Sequence, residues 1–436
     1  MTGALLLTST PTASADYIRD KQWVIDVIDF KKVWAESQGQ GVTVAVVDSG
    51  VDGSHPDLAG QVLKGEDVTG GADAQHDTDG HGTGMASLIA GHGHGANKVS
   101  GVIGLAPKAK ILPIKAAVAD DYNDDQWAGG VRYAVDHGAD VINMSFGDSL
   151  AGPGSEGAAA INYALKHDVV VVAATGNDGA ADLSYPSKLP GVVAVGAVDE
   201  SLNYWDNSNF GAGVSLVAPG VKIVRADPSV SSGYSEADGT SDAAAYVSAA
   251  AALVRAKYPD LTAGQVINRL IKSATFLNHD VKKVPDEKYG YGIIRPYAAL
   301  TRNIPKGPTQ GPLAQASPST AASTDAGNDS TNQAKEKKGS FSMGAIVLLV
   351  GVIGLGAVIA VVVFAVTRSR RNSVNRGPIS GPYPQNMGYP PQQAMPPTTQ
   401  PPYSAPAANQ PYGYPASPAQ PPQHPNPYTQ QPPYGQ

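Results

Sequence analysis

The 436 residues contain no cysteine. Disulfide bridges, a thiol nucleophile and cysteine-based metal centres are therefore excluded. The formal net charge is only −7, and the clearest short basic cluster is Arg368-Ser369-Arg370-Arg371. The basic footprint of a nucleic-acid-binding protein is thus missing, and no nucleic-acid partner is expected. Charge is also absent from the apolar run Met343 to Thr367, which is long enough to cross a bilayer. A buried core helix of that length would need a polar face, and this run has none. Positive residues stay cytoplasmic, and Arg368 to Arg376 follows at once, so the larger N-terminal part is expected outside.

The N-terminus carries Ala4-Leu5-Leu6-Leu7 and then Ala13-Ser14-Ala15 before Asp16. That small-x-small pattern resembles the end of a secretory signal, so residues 1–15 read as a signal-peptide remnant. The apolar part is short and lacks a preceding Lys or Arg. Residues 16–40 form a polar lead-in with Trp23, Val24, Ile28, Phe30, Val33 and Trp34 as packing points. The lead-in is too short to fold as a pro-domain of its own.

From Gly41 onward, short β-branched runs alternate with helical stretches. The strands are expected at Val42–Asp48, Ile111–Lys115, Val141–Ser145, Val169–Ala174, Val192–Val198 and Val214–Ala218. The helices are expected at Thr83–Ala90, Gln126–His137, Glu156–His167, Asp242–Lys257 and Thr262–Ser273. This alternation implies an α/β fold: a mostly parallel central sheet with helices on both faces. Sites in such sheets form at the carboxyl ends of strands. Three of these ends carry polar groups: Asp48, Ser145-Phe146-Gly147 and Thr175-Gly176-Asn177. Residues 303–342 are rich in Pro, Ser, Thr and Ala and read as a disordered linker to the membrane segment 343–367. Residues 368–436 form a basic stop followed by a Pro/Tyr/Gln-rich cytoplasmic tail, in which Pro-Pro-Tyr recurs. That tail could dock partners or serve only as a spacer.

The stretch Gly239-Thr240-Ser241-Asp242-Ala243-Ala244-Ala245 opens a helix built from very small residues. A serine at that start gains from the free N–H groups and the positive dipole end, which favour negative charge forming beside it. Serine is also a preferred cap, so this stretch alone leaves both roles open. Upstream lie Val46-Val47-Asp48-Ser49-Gly50 and Asp79-Gly80-His81-Gly82-Thr83-Gly84. A hydroxyl nucleophile needs a base of near-neutral pKa, and the base needs a carboxylate to fix its tautomer.

The order Asp48, His81, Ser241 and the motifs around them resemble the subtilisin-like serine proteases over Gly41 to about Leu300. The resemblance implies a serine endopeptidase working through Asp48, His81 and Ser241 and an acyl-enzyme. It implies Asn177 as the side-chain donor of the oxyanion hole, beside the Ser241 backbone N–H. On the residues alone, Asn177-Asp178-Gly179 could equally be a turn. Ser145-Phe146-Gly147 resembles the substrate-binding strand, where an extended peptide would add, against the plainer reading of a strand end. The resemblance implies no cofactor and a polypeptide substrate; the membrane and secretion-complex proteins are the other expected partners.

Other polar clusters carry less. His92-Gly93-His94 is expected in a Gly-rich loop without a third metal ligand. Asp120-Asp121 with Asn123, Asp124 and Asp125 reads as a solvated acidic turn, and Asp73, Asp77 and Asp79 as surface. No metal site is assigned. Two departures from the family pattern stand next to the nucleophile: Asp242 where an apolar residue is usual, and Ala245 where proline is usual. The order of signal, lead-in, protease domain, linker and membrane segment looks most like the mycosins, membrane-anchored proteases associated with type VII secretion. Those commonly carry disulfides, which this chain cannot. The alternative function is a weak or inactive protease-fold scaffold in a membrane secretion complex, with Asp242 and Ala245 as its sequence support.

Overall fold

The computed structural model describes residues 13–315 apart from 72, 119–120, 148–151 and 278. The expected membrane segment 343–367, the tail 368–436 and most of the linker and signal remnant lie outside the described residues. The lead-in forms three short helices, α1 (Ala13–Asp20), α2 (Val24–Ile28) and α3 (Phe30–Glu36). They are followed by β1 (Thr43–Asp48), β2 (Glu66–Asp67), α4 (His81–Ala90), β3 (His92–His94), β4 (Ser100–Ile103) and β5 (Lys110–Lys115). Next come β6 (Ala117–Val118), β7 (Asp121–Tyr122), α5 (Asp124–Asp136), β8 (Val141–Met144), α6 (Glu156–Lys166) and β9 (Val170–Ala174). The last elements are β10 (Val193–Val198), β11 (Val214–Pro219), β12 (Ile223–Ala226), β13 (Tyr234–Ala237), α7 (Thr240–Lys257), α8 (Ala263–Ser273) and α9 (Pro296–Thr301).

The main sheet runs β11-β10-β9-β8-β1-β5-β2, and its paired strands are parallel. Both faces are covered, which is why the strands read as continuous apolar runs. Successive residues of β1 point to opposite faces. Val44 and Val46 pack in one core with α4 and α7, and Ala45 and Val47 pack in another with α5 and α6. Helix α7 is buried along nearly its whole length, which its alanines permit by letting neighbours approach closely. The chain goes from β1 outward to β2 and β5 on one side, then returns to β8 on the other. That reversal beside β1 opens a crevice at the carboxyl edge, the place where such sheets bind ligands.

The lead-in packs through the residues expected to do so: Val24, Ile28, Phe30 and Val33 are buried, and Trp34 Nε1 donates to the Leu105 carbonyl at 2.9 Å. Three features differ from the sequence reading. Residues 303–313, read from composition as linker, lie along α8. There the Asn268 amide donates to the Pro305 carbonyl at 3.1 Å, Thr262 donates to Thr309 at 2.7 Å, and Leu313 packs on the core. These bonds join main-chain carbonyls to helix side chains, so composition carries no trace of them. His92–His94 is a strand paired antiparallel with β4, not a loop, and His94 Nδ1 sits 2.6 Å from Asp57 Oδ1. The acidic turn is a double cap. Asn123 accepts from the backbone of Asp125 and Gln126 at the start of α5, and Asp124 accepts from Gly157 at the start of α6.

Candidate active site

Asp48 ends β1 and is fully buried. Its Oδ1 accepts from the Ser49 backbone N–H at 2.8 Å and lies 2.8 Å from His81 Nδ1. The Tyr122 hydroxyl adds a weaker contact at 3.4 Å, while Asp48 Oδ2 has no protein partner. Because a carboxylate only accepts, the proton between the two side chains belongs to His81 Nδ1, which leaves Nε2 facing away as the basic nitrogen. The approach is close because residue 82 is glycine. A Cβ there would stand 2.1 Å from the Gly50 carbonyl oxygen and 3.1 Å from Asp48 Cβ.

His81 opens α4, and a residue assigned to the surface fixes that opening. Asp77 is buried. Its Oδ1 accepts from Ser49 Oγ at 3.0 Å, Asp79 N at 3.1 Å and Gly80 N at 2.9 Å. Its Oδ2 accepts from Thr83 N at 2.9 Å and Thr83 Oγ1 at 2.6 Å. One carboxylate therefore satisfies three N–H groups at and just before the helix start and ties them to Ser49, whose hydroxyl in turn accepts from the Gly82 N–H. The only local signal was an Asp four residues before His81, in Asp77-Thr78-Asp79-Gly80, of a residue type that favours helix starts. Asp73 and Asp79 are exposed, as read.

Burial works to lower the His81 pKa, but the charge of Asp48 and its hydrogen bond work the other way. Asp242 adds to Asp48 and Arg225 opposes it, with the net result that the imidazole is raised above its ordinary value. Its side chain remains 21 % exposed, so the ring reaches the crevice.

Ser241 is the second residue of α7. Its hydroxyl donates to the Ser145 carbonyl at 2.9 Å, and the Ser145 hydroxyl donates to the Ser241 carbonyl at 2.9 Å. This reciprocal clasp joins the end of β8 to the first turn of α7. It continues inward, since Asn143 Nδ2 donates to Ser145 Oγ at 2.9 Å and Ser248 Oγ donates to Asn143 Oδ1 at 2.8 Å. The polar chain is buried and satisfied, so it fixes the register of α7 against the sheet. With its single proton on Ser145, the Ser241 hydroxyl does not donate to His81 in this conformation.

Asn177 lies after β9, exposed at the rim. Its Oδ1 accepts from Thr240 N at 2.9 Å and Thr240 Oγ1 at 2.8 Å. A backbone N–H can only donate, so the atom facing it must be the amide oxygen. The Asn177 NH2 is thereby turned away from Thr240, as a free donor. It borders a cleft of about 650 Å³ lined by Gly147, Asn177, Leu183, Ser184, Tyr185 and Asn209. The cleft lies beside the Asp48–His81 pair rather than around it.

The segment Ser145-Phe146-Gly147 divides between core and cleft. Ser145 is buried in the clasp. Phe146 is 6 % exposed, stacked on Tyr122 at 4.0 Å between ring centres and tilted against Trp127, so its side chain is core. Gly147 alone faces the cleft, where a Cβ would come within 3.1 Å of Ser184 Cβ. Asp242 points inward and pairs with Arg225 at 3.0 Å. Arg225 had no local sequence signal, because its partner is on another element.

The subtilase family model, Peptidase S8, matches residues 39–292. Subtilisin DY of Bacillus licheniformis is 36 % identical over 283 residues, covering 63 % of this chain and 97 % of that protein. Thermitase of Thermoactinomyces vulgaris is 35 % identical over 246 residues, covering 56 % and 85 %. Among solved structures, MycP1 from Mycobacterium smegmatis aligns with a TM-score of 0.56 and 29 % identity, covering 71 % of this chain and 90 % of that one. The MycP3 protease from the type VII (ESX-3) secretion system aligns at 0.55 and 31 %, covering 68 % and 91 %. With a parallel sheet of this order and a family match across most of the described residues, the chain belongs to the subtilase family of subtilisin-like serine endopeptidases, related to the mycosins, and acts on polypeptides.

Proposed function

We propose that the protein is a membrane-anchored endopeptidase, facing the outside of the cell, that hydrolyses peptide bonds through Asp48, His81 and Ser241. The observation that carries this reading is the 2.8 Å contact between His81 Nδ1 and Asp48 Oδ1 at the crevice edge, with Ser241 at the start of the adjacent α7. In the reaction, Ser241 Oγ attacks the substrate carbonyl carbon and its proton passes to His81 Nε2. The oxyanion accepts from the Asn177 NH2 and the Ser241 backbone N–H. His81 then returns the proton to the leaving amine, the C–N bond breaks, and an ester on Ser241 remains. Water reverses the sequence and releases the acid. The cleft at Gly147 accepts a side chain of the substrate.

The mycosin likeness supports a setting in type VII secretion, with secretion-complex proteins as partners. The charge-free run Met343 to Thr367 and the arginines after it support a single-pass anchor with the tail in the cytoplasm. One observation favours a silent scaffold instead, namely the Ser241 hydroxyl bound to Ser145. A single side-chain rotation frees it at the expense of one hydrogen bond, about 1 kcal/mol, so the clasp does not disable the site. A fluorophosphonate probe tests the two readings. Labelling should occur in the full chain and vanish in Ser241→Ala and His81→Ala. Absence of labelling and of peptide-library cleavage by the parent would leave the scaffold.

A further inference from the structure

Asp242 follows Ser241 in the chain and is 1 % exposed. A carboxylate there would be expected to oppose the negative charge forming at the oxyanion position. Its Oδ1 is instead held 3.0 Å from Arg225 Nη1. The Arg225 side chain crosses α4 at Gly84, one turn beyond His81. A Cβ at Gly84 would lie 2.7 Å from Arg225 Cδ and 3.0 Å from Nε. The carboxylate folds back over the start of its own helix, where a Cβ at Gly239 would stand 3.2 Å from Asp242 Oδ2. Both Asp242 Oδ2 and Arg225 Nε are buried without a hydrogen-bond partner. Burying two charges this incompletely is unfavourable, and an apolar pair of similar volume would pack the same space.

We propose that Arg225 and Asp242 form an electrostatic counterweight beside the active site, in which Arg225 cancels the field of the Asp242 carboxylate at the His81 imidazole and at the oxyanion position. They are positioning residues, acting through His81 and Ser241 without touching substrate. The catalytic consequence rests on the triad reading; the charge balance at His81 does not. The groups around His81 make the need for a cation plain. Asp48 approaches from β1, with the Tyr122 hydroxyl of β7 behind it. Asp79 accepts the His81 backbone N–H, and Asp77 lies beneath the helix start. Asp227 stands against Gly80, and Asp242 comes from α7. Of these groups and Arg225, only the guanidinium is permanently positive. Without it, the imidazole sits among carboxylates and holds its proton too firmly. Without Asp242, the guanidinium stands uncompensated and drives that proton off.

The test is a pH titration of His81 by NMR in the full chain labelled with 15N-histidine, run beside the pH dependence of labelling by a fluorophosphonate. Asp242→Asn should move the His81 titration down by about one pH unit, and Arg225→Met should move it up by a similar amount. The double variant should return to the parent value, and Arg225→Lys should stay near it. If one single variant fails to fold, the other still reads the sign of its own shift against the double variant and Arg225→Lys. A merely structural pair would lower stability in both single variants with the titration unmoved, and that result overturns the proposal, as do shifts of the same sign. Opposite shifts without labelling of Ser241 in any variant would uphold the counterweight and refute the protease mechanism. Labelling with an unmoved titration would do the reverse.

Discussion

In the proposed mechanism Asn177 has two separable duties, and two substitutions tell them apart. Its Oδ1 accepts from Thr240 N and Thr240 Oγ1, which turns its NH2 away from Thr240. Asn177→Ala removes both duties. Each lost hydrogen bond costs about 0.5–1.5 kcal/mol, and water at this exposed rim keeps the total near the low end, about 1 kcal/mol. The lost oxyanion donor costs about 3–4 kcal/mol of transition-state stabilisation, or 10²–10³ in kcat. Asn177→Asp is the sharper probe. Its carboxylate still accepts from both Thr240 donors at the favourable end of the α7 dipole, so the melting temperature should stay at or above the parent value. It offers no donor and adds negative charge where the oxyanion forms, so kcat should fall at least as far as in Asn177→Ala, with KM nearly unchanged. Kinetics on a fluorogenic peptide library, with thermal melts of the same samples, read both effects. A kcat for Asn177→Asp within a few-fold of the parent would refute the donor role.

The raised pKa of His81 has two consequences. A base must be unprotonated to act, so the acid limb of kcat/KM should have its midpoint above the ordinary histidine value of about 6.5, and Asp48→Asn should move it down. A folded pKa above the unfolded one stabilises the native state fully below the unfolded value, and that contribution fades as pH rises through the folded value. The stability deficit of His81→Ala, from urea melts, should therefore be larger at pH 5.5 than at pH 9. Asp77→Ala strands three backbone N–H groups and two hydroxyls around a buried position, which should cost about 3–5 kcal/mol and loosen the start of α4. A cost under 1 kcal/mol would show that water replaces the carboxylate. Deleting residues 1–36 strips Val24, Ile28, Phe30 and Val33 from the core. At about 1.5–3 kcal/mol each this is about 6–12 kcal/mol, comparable to the whole stability of a domain, so the truncated chain should be insoluble or unfolded.

Periodicity and punctuation located the central elements well. The expected strand Val214–Ala218 is observed as Val214–Pro219, and the helix expected from Thr262 is α8 with Thr262 as its cap in a full capping box. These signals are local: β-branched runs buried on both faces, and side chains that satisfy nearby N–H groups. The pair of short hairpins β3–β4 and β12–β13 was not legible. Their strands have three or four residues each, too few for alternation to stand out. The packing residues of the lead-in were legible but their partners were not, because they sit on short helices that find their contacts only in the folded core.

By itself, the sequence determined the candidate groups Asp48, His81 and Ser241, their order and the sheet that gathers strand ends at one edge, because motif and hydrophobic period are written within a few residues. Tertiary structure alone decided which way Asn177 faces, that Phe146 is core while Gly147 lines the cleft, and that Asp242 points inward to Arg225. Each of those outcomes depends on a group brought from a distant part of the chain, and the orientation and charge state of a side chain follow from the partners that surround it.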